Sequence, residues 1–278
     1  MNIITETVII SYVSWLTKEE RSSATCKKYE REVREFAACM GGSSVTKDAA
    51  IDYKARITKT RKATSVNASI AALNSFFCYI GWGIRLKPLK IQRQSFRSGE
   101  KDFTREEYER LLRAAKSKGD TRIRLIIETV CSTGIRVSEL SYITVNAAKN
   151  GQAIITNKGK TRIVLLPRNL QISLLRYADE QGIVSGHIFV TRTNKPVDRR
   201  DIWSSMKSLC KEAGIPEEKV YPHNLRHLFA REFYDMHKDV VKLADVLGHS
   251  NINTTRIYTM ESSLEHRRLV DELGFAHL

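Results

Sequence analysis

The stretch YPHNLRHLFA, residues 221–230, places two histidines and an arginine within five positions. A helix that only buries an apolar face does not carry three ionisable groups so close together, so His223, Arg226 and His227 indicate a functional site. The i, i+4 spacing puts both imidazoles on one helix face, which is an arrangement that can bind a metal. Arg226 lies between them and repels a cation, and the intervening Asn and Leu supply no third ligand. The pattern therefore favours a clamp for a negatively charged group, and we expect no metal and no cofactor.

Two more basic groups lie at the ends of predicted elements. Arg136 is in TGIRVSEL (133–140), where Thr-Gly predicts a turn and VSEL predicts that a helix resumes; His249 is in LGHS, after a predicted helix. Arginine can form paired hydrogen bonds with phosphate oxygens, which lysine cannot. Each group also has a plain structural alternative: Arg136 can pair with Glu139, and His249 can be a polar residue of the turn.

Tyr258, in TTRIYTM, completes the set of candidate residues. It follows His249 by nine residues and lies 20 residues from the C-terminus. A single tyrosine between Ile and Thr is also typical of a core or interface aromatic. Tyr258 is a candidate only because it follows the other candidate residues closely in the chain.

The charge of the chain indicates a polyanionic partner. Its 278 residues include 46 Lys and Arg against 31 Asp and Glu, which gives a formal net charge of +15. Between Lys54 and Arg97 there are ten Lys or Arg and no Asp or Glu. A surface that is merely solvated mixes both signs, so this span favours nucleic acid. Five widely spaced cysteines without a C-x-x-C pair predict reduced thiols. We expect no secretory signal, and the apolar runs are too short to span a bilayer.

Hydrophobic spacing predicts two domains. Helices are predicted at about 5–16, 23–40, from Thr46, and 64–80, which make a small helical bundle over 1–92. The polar stretch 93–102 is a predicted linker, and Thr104 with Glu107 forms a capping-box pattern that opens the second domain, 103–278. QAIITN and TRIVLL around KGK predict a β-hairpin. The other segments predict helices, at about 105–117, 121–132, 169–181, 200–213, 223–236, 239–247 and 262–273, so the predicted fold class is mainly α with a small β-sheet.

Four motifs in order, TGIRVSEL, NKGKTRIVLLP, HNLRHLFA and LGHSNINTTRIYT, resemble the tyrosine recombinase (phage integrase) family. The similarity covers about 100–278, and the basic first domain resembles that family's SAM-like core-binding domain. The size of the chain is most like that of the compact Xer-type members. The resemblance implies an α+β catalytic domain and site-specific DNA recombination through a 3′-phosphotyrosyl intermediate.

The same resemblance implies a role for each motif residue. Tyr258 is the expected nucleophile; Arg136 and Arg226, with His249, are expected to stabilise charge on the phosphate. His223 is expected to assist proton transfer or bond a phosphate oxygen. Lys158 is expected to protonate the departing 5′-oxygen, with Lys160 as the competing assignment. Glu139 is expected to hold local structure, and His227 to support its neighbours.

The expected partners are double-stranded DNA and further copies of the chain, and no membrane. Phosphate contacts in the first domain are expected from seven basic residues of the charged span: Lys54, Arg56, Lys59, Arg61, Lys62, Arg93 and Arg97. The last helix, about 262–274, is expected to dock on a neighbouring protomer in a tetramer on two DNA sites. The expected location is cytoplasmic and nucleoid-associated. Two alternatives stay open: a type IB topoisomerase-like enzyme that relaxes DNA, and a non-catalytic DNA-binding regulator of the same fold.

Overall fold

The computed structural model of the chain describes residues 2–91, 102–157, 159–249, 251–258 and 271–272. Contacts divide the chain into two compact units, Met1–Arg93 and Gln94–Leu278. The predicted linker falls on this division, and its residues 93–101 lie outside the described ranges. Within the described ranges, no helix is long and apolar enough to cross a membrane.

The first unit is a bundle of four α-helices. They are α1 (Glu6–Lys18), α2 (Ser23–Met40), α3 (Lys47–Thr60) and α4 (Ala63–Tyr79). The first three begin at Thr or Ser residues whose hydroxyls accept a hydrogen bond from the backbone of the first turn, which satisfies donors that a helix leaves unpaired. The predicted stripe on α4 is buried at Val66, Ile70, Leu73, Phe76 and Phe77, so helical spacing identified this face correctly.

The second unit is mainly helical with one small sheet. It contains α5 (Arg105–Ser117), α6 (Thr121–Thr133), α7 (Val145–Asn150), β1 (Gln152–Asn157), β2 (Lys160–Leu165), α8 (Arg168–Glu180), α9 (Arg199–Ala213), α10 (Pro222–His237) and α11 (Val240–Leu247). Short 3-10 helices cover Val137–Tyr142, Glu217–Lys219, Ile252–Thr254 and Arg256–Tyr258. The predicted fold class, mainly α with a small β-sheet, is confirmed.

Helix α6 lies at the centre of the second unit. It contacts α5, α8, α9 and α10, and most of its length is buried, from Ile123 to Thr133. The predicted capping box at the start of α5 is present, because Glu107 accepts from the backbone of Thr104 and Thr104 accepts from the backbone of Glu107. The central position of α6 fixes where its C-terminal turn, Gly134 to Arg136, lies against α10.

The sheet is a two-stranded antiparallel hairpin, as predicted. Gln152 pairs with Leu165 and Asn157 pairs with Lys160. Ala153, Ile155 and Val164 face the core, which follows from the alternation of side chains along a strand. The predicted C-terminal helix at about 262–274 lies outside the described residues apart from 271–272.

Candidate active site

The candidate site lies where three turns converge on the start of α10. Pro222 occupies the first turn of α10, where its missing N–H costs no hydrogen bond, and this starts the helix just before His223. Arg226 follows one turn later and reaches two other elements. Its Nη1 donates to the Gly134 carbonyl at the end of α6, and its Nη2 donates to the Leu247 carbonyl at the end of α11, 2.8 Å away. Arg226 thus joins three sequence motifs that are far apart in the chain.

Burial determines the electrostatics of Arg226. The residue is only 1% exposed. Desolvation, helped by the nearby positive charge of Arg136, lowers its pKa to about 10. At neutral pH the guanidinium therefore remains protonated, and its hydrogen bonds hold this buried positive charge in a fixed orientation.

His249 lies beside Arg226 in the turn after α11. Its Nε2 is 3.0 Å from Nη2 of Arg226, and its Nδ1 is 2.8 Å from the Thr255 hydroxyl. Burial lowers the pKa of His249 to about 4, and the positive charges of Arg226, Arg136 and Arg162 act in the same direction. The imidazole is therefore neutral at pH 7.

Tyr258 is packed against these side chains. It is 4% exposed and belongs to a small apolar cluster with Ala230, Leu243 and Leu247. Its ring stacks on the ring of His249, with centroids 6.1 Å apart and planes 13° from parallel. It also meets the His227 ring edge to face, with centroids 4.8 Å apart. A side-chain hydrogen bond with Tyr258 also acts on Arg226. The side chain of Tyr258 therefore lies close enough to the buried arginine to influence its pKa.

Glu139 organises the turn that carries Arg136. This carboxylate is 1% exposed. It accepts from the backbone N–H of Arg136 at 2.8 Å and from its Nη1 at 3.0 Å. Arg162 of β2 donates to both carboxylate oxygens, at 3.0 and 2.7 Å. The pKa of Glu139 is lowered although burial opposes ionisation, because Arg162 and Arg136 supply hydrogen bonds and positive charge.

A cavity of about 190 Å³ opens at this point of the surface. Arg136, Arg199, His223 and Arg226 line it, and its described lining residues include no acidic side chain. Desolvation and the charges of Arg226, Arg136 and Arg199 lower the pKa of His223. The cavity therefore presents concentrated positive charge with the size and chemistry of an anion site.

Other predicted site residues are placed less closely or fall outside the described ranges. Lys158 lies outside the described residues, while Lys160 is exposed at the start of β2, next to the hairpin turn at Gly159. His227 lies between His223 and Tyr258, with its ring centroid 4.4 Å from that of His223. Among the described residues, no group of three or more His, Cys, Asp or Glu side chains is placed to hold a metal ion.

The basic residues predicted for the first unit have different surroundings. Arg56, Lys59 and Lys62 are exposed, while Nζ of Lys54 donates to the Lys87 carbonyl at 2.7 Å. Arg61 forms ion pairs with Glu35 and, at 3.2 Å, with the buried Glu32. Arg93 and Arg97 lie outside the described residues.

Sequence reasoning missed three residues of the site. Arg162 and Thr255 appear in the sequence analysis only as letters of motifs, and Arg199 lies just before the helix predicted at about 200–213. Arg162 and Thr255 belong to the site because they bond to Glu139 and His249, and those contacts form only in the tertiary structure. A signal was available for Arg162 alone: it shares with the buried Val164 the inward side of the strand that begins at Lys160, the competing lysine.

Comparisons with known proteins converge on one family. The sequence profile of the phage integrase family matches residues 101–265. The chain is 30% identical to tyrosine recombinase XerA of Thermococcus kodakarensis over 276 residues, which cover 95% of this chain and 94% of that protein. It is 27% identical to tyrosine recombinase XerD of Listeria monocytogenes over 282 residues, covering 92% and 95% of the two chains.

Solved structures show the same fold. A XerH site-specific recombinase bound to a palindromic difH substrate aligns with a TM-score of 0.73 at 22% identity, over 95% of this chain and 84% of that one. A lambda integrase dimer bound to a COC′ core site aligns with a TM-score of 0.72 at 17% identity, over 91% of this chain and 94% of that one.

Proposed function

Because this chain belongs to the phage integrase family of tyrosine recombinases, we propose that Tyr258 is the nucleophile with which it cleaves and rejoins DNA. The chain is a tyrosine-type DNA strand transferase and a site-specific recombinase. The observation that carries the assignment is that Tyr258 stacks on His249, which in turn contacts the buried Arg226 of the cationic cavity. A core aromatic requires no such neighbours.

The proposed reaction is a transesterification at a DNA phosphodiester. The phenolic oxygen of Tyr258 bonds to phosphorus, the bond from phosphorus to the 5′-oxygen breaks, and a 3′-phosphotyrosyl linkage results. The bond energy is retained in that linkage, so a free 5′-hydroxyl can reverse the step and join the strands without a cofactor. The proton of the phenol leaves as the tyrosine attacks, and one proton is delivered to the 5′-oxygen.

Proton transfer has to accompany attack. A tyrosine side chain ordinarily has a pKa near 10, so about one in a thousand is ionised at pH 7, a handicap of roughly 4 kcal/mol. His223 supports this transfer, because its lowered pKa keeps it neutral and able to accept a proton. Lys158, or Lys160 at the start of β2, protonates the leaving oxygen.

Arg136 and Arg226 stabilise the additional negative charge of the pentavalent phosphate. Both face the cavity beside α10, and Arg226 is held by protein carbonyls before any DNA arrives. Preorganised donors in a water-poor site lower the barrier because they need no reorientation during the reaction. Glu139 and Arg162 keep Arg136 at the rim of this pocket.

The partner is double-stranded DNA, and the first unit supplies sequence-independent phosphate contacts through its exposed basic residues. We extend the proposal to a tetramer on two DNA sites, in which the last helix docks on a neighbouring protomer. The motif order and the Xer-type resemblance support this assembly.

The test is formation of a covalent protein–DNA adduct. Nicked duplexes with a random central sequence serve as suicide substrates, and adducts that survive denaturing detergent are recovered, sequenced and resynthesised as a defined substrate. We expect an adduct with the natural chain, none with Tyr258→Phe, and an undiminished adduct with the matched control Tyr234→Phe. We also expect the adduct to form in EDTA, since arginines carry the charge.

Two results distinguish the alternatives. Relaxation of supercoiled DNA by a monomer without site preference favours a type IB topoisomerase activity. Tight binding of a selected site without any adduct favours a non-catalytic regulator and contradicts the proposal.

A further inference from the structure

A cavity of about 410 Å³ opens on the first unit, lined by residues of α2 and of the start of α4. We call this cavity the α2–α4 notch. Two of its lining side chains are carboxylates, Glu32 and Glu35, and four are basic: Lys28, Arg31, Arg61 and Lys62. The excess of positive charge suits an anion. Lys28 and Arg31 belong to α2, outside the charged span from Lys54 to Arg97, so the predicted phosphate contacts did not include them.

Glu32 is a fixed part of the bundle. It is 4% exposed, and it accepts hydrogen bonds from Nη2 of Arg31 at 2.7 Å, from Nη1 of Arg61 at 3.2 Å and from the Ser69 hydroxyl at 2.7 Å. Burial opposes ionisation of Glu32, but hydrogen bonds from Arg31 and Ser69 and the charges of Arg31 and Arg61 lower its pKa. This carboxylate therefore stays ionised and holds one end of the Arg61 guanidinium.

Glu35 lies about one turn further along α2 and holds the other end of that guanidinium. It accepts a hydrogen bond from Nη2 of Arg61, and its side chain is 43% exposed. Nη1 of Arg61 is already fixed by Glu32 and by the Ser69 hydroxyl, at 3.2 and 3.3 Å. An exposed ion pair contributes little free energy, because water solvates both partners when they separate. Glu35 can therefore leave Nη2 at small cost while Arg61 keeps its orientation.

We propose that Glu35 is an internal competitor for DNA phosphate: it occupies Nη2 of Arg61 in the free chain and gives way when a phosphate of the DNA backbone enters the α2–α4 notch. This inference rests on the proposed function, since the ligand is the DNA of that reaction. A phosphodiester has one negative charge shared by two oxygens, so it can replace the carboxylate on the guanidinium. Lys28 and Lys62 are exposed in the same notch and add attraction that Glu35 lacks the reach of a duplex to use fully. Binding of any duplex then requires an internal ion pair to break, which weakens sequence-independent affinity.

Fluorescence anisotropy on a duplex of arbitrary sequence tests this competition. Glu35→Gln removes the charge of the carboxylate with little change of size, and we expect it to bind about threefold more tightly, which is the factor that an exposed ion pair contributes.

The matched control is Glu30→Gln on the same helix, which makes the same change of net charge. Glu30 is not among the described lining residues of the notch. Its partner Arg34, 2.9 Å away, stays bonded to both carboxylate oxygens of Glu6 at 2.7 Å. We expect the control to bind within about 1.5-fold of the natural chain, because it frees no cation for phosphate.

Arg61→Gln shows whether the effect of Glu35 passes through this guanidinium. We expect the gain from Glu35→Gln to disappear in the double variant with Arg61→Gln. Because Arg61 bonds the buried Glu32, urea unfolding is used to verify that the double variant is folded in the binding buffer. The comparison of Glu35→Gln with Glu30→Gln changes no buried side chain, so it decides the inference even where Arg61→Gln destabilises the bundle.

Three results overturn the inference: binding by Glu35→Gln that is equal to or weaker than that of the natural chain, an equal gain in Glu30→Gln, or a gain that persists in the folded double variant. None of them bears on adduct formation. Absence of adduct with the natural chain refutes the proposed function, while the affinity comparison still decides the role of Glu35. A natural chain that binds no duplex refutes the DNA partner and this inference together.

Discussion

Arg226 illustrates how single residues prepare this site. Two backbone carbonyls and one imidazole orient its guanidinium, although no carboxylate is among these partners. Burial of this cation is unfavourable, and together with the positive charge of Arg136 it lowers the pKa of Arg226 to about 10. In the proposed reaction a DNA phosphate brings negative charge to this cation, and we expect binding to offset part of the cost of its burial.

His249 contributes a second electrostatic effect at the residue scale, which predicts how stability depends on pH. Its pKa is about 4 in the folded protein, against about 6.5 for a histidine in an unfolded chain. Between these values the unfolded chain binds a proton that the folded protein does not. The contribution of His249 is therefore fully present above pH 6.5 and is lost as the pH falls towards 4, by up to about 3 kcal/mol.

Urea unfolding at intervals from pH 7.5 to 4.5 measures this contribution. We expect His249→Asn to show a flatter decline of unfolding free energy than the natural chain between pH 6.5 and 4.5. His223→Asn is a second test of the same effect, because the pKa of His223 is also lowered and its removal should flatten the same pH window. Identical slopes for the natural chain and His249→Asn would show that the imidazole is not held neutral.

At the scale of elements, the site depends on how closely helix ends approach one another. Gly134 ends α6 with φ +64, and a Cβ there would lie 2.4 Å from a ring carbon of Phe229 on α10. Gly248 ends α11 with φ +66, and a Cβ there would lie 2.5 Å from the side chain of Arg162. Both turns need glycine for the left-handed conformation and for the space, since another element occupies the position of the side chain.

Gly134→Ala tests this close approach. The left-handed conformation alone costs an alanine about 1–2 kcal/mol, and the clash with Phe229 adds about 1–3 kcal/mol. The matched control is Gly214→Ala at the end of α9, where φ is +61 and nothing lies within 4 Å of the added carbon. We expect urea unfolding to show a loss for Gly134→Ala at least about twice that for the control. Equal losses would mean that α6 and α10 are not in close contact at this turn.

Local signals explain which elements the sequence predicts well. Helix spacing and caps place the described long helices within one or two residues of their predicted ends, and Thr104 with Glu107 forms the predicted capping box. VSEL was predicted to resume a helix, and it forms the 3-10 helix Val137–Tyr142, because Glu139 bonds back to Arg136 in a tight turn. The six-residue α7 was missed, since so short a segment carries little periodicity.

Side-chain partners were less predictable than elements. Three motif residues, Arg226, His249 and Tyr258, lie side by side, as expected for motifs that form one site. The pairing of Arg136 with Glu139, first considered as an alternative to a functional role, is compatible with it, because one Nη1 bond leaves this side chain 38% exposed at the cavity. Arg162 and Thr255 matter only through contacts across the fold, which spacing along the chain does not encode.

For the whole molecule, the excess of positive charge sets how association with DNA depends on salt. The net charge is +15, but the basic residues of the first unit do not contribute equally. Arg61 is paired with Glu32 and Glu35, so much of its charge is already balanced within the bundle. Lys59 and Lys62 are exposed at the end of α3 and the start of α4, and their charge remains available for phosphates.

Neutralising the exposed lysines is therefore expected to weaken the salt dependence of DNA binding. Each phosphate contact contributes about −0.9 to the slope of log K against log salt, so Lys59→Gln with Lys62→Gln should make the slope less negative by about 2. Fluorescence anisotropy on a duplex of arbitrary sequence measures this term without knowledge of the target site. The control Lys18→Gln removes an exposed charge outside the span from Lys54 to Arg97 and should leave the slope unchanged. A nearly flat dependence for the natural chain, or equal effects of the control and the double variant, would contradict the role of this span, because counterion release follows the charges that meet phosphate.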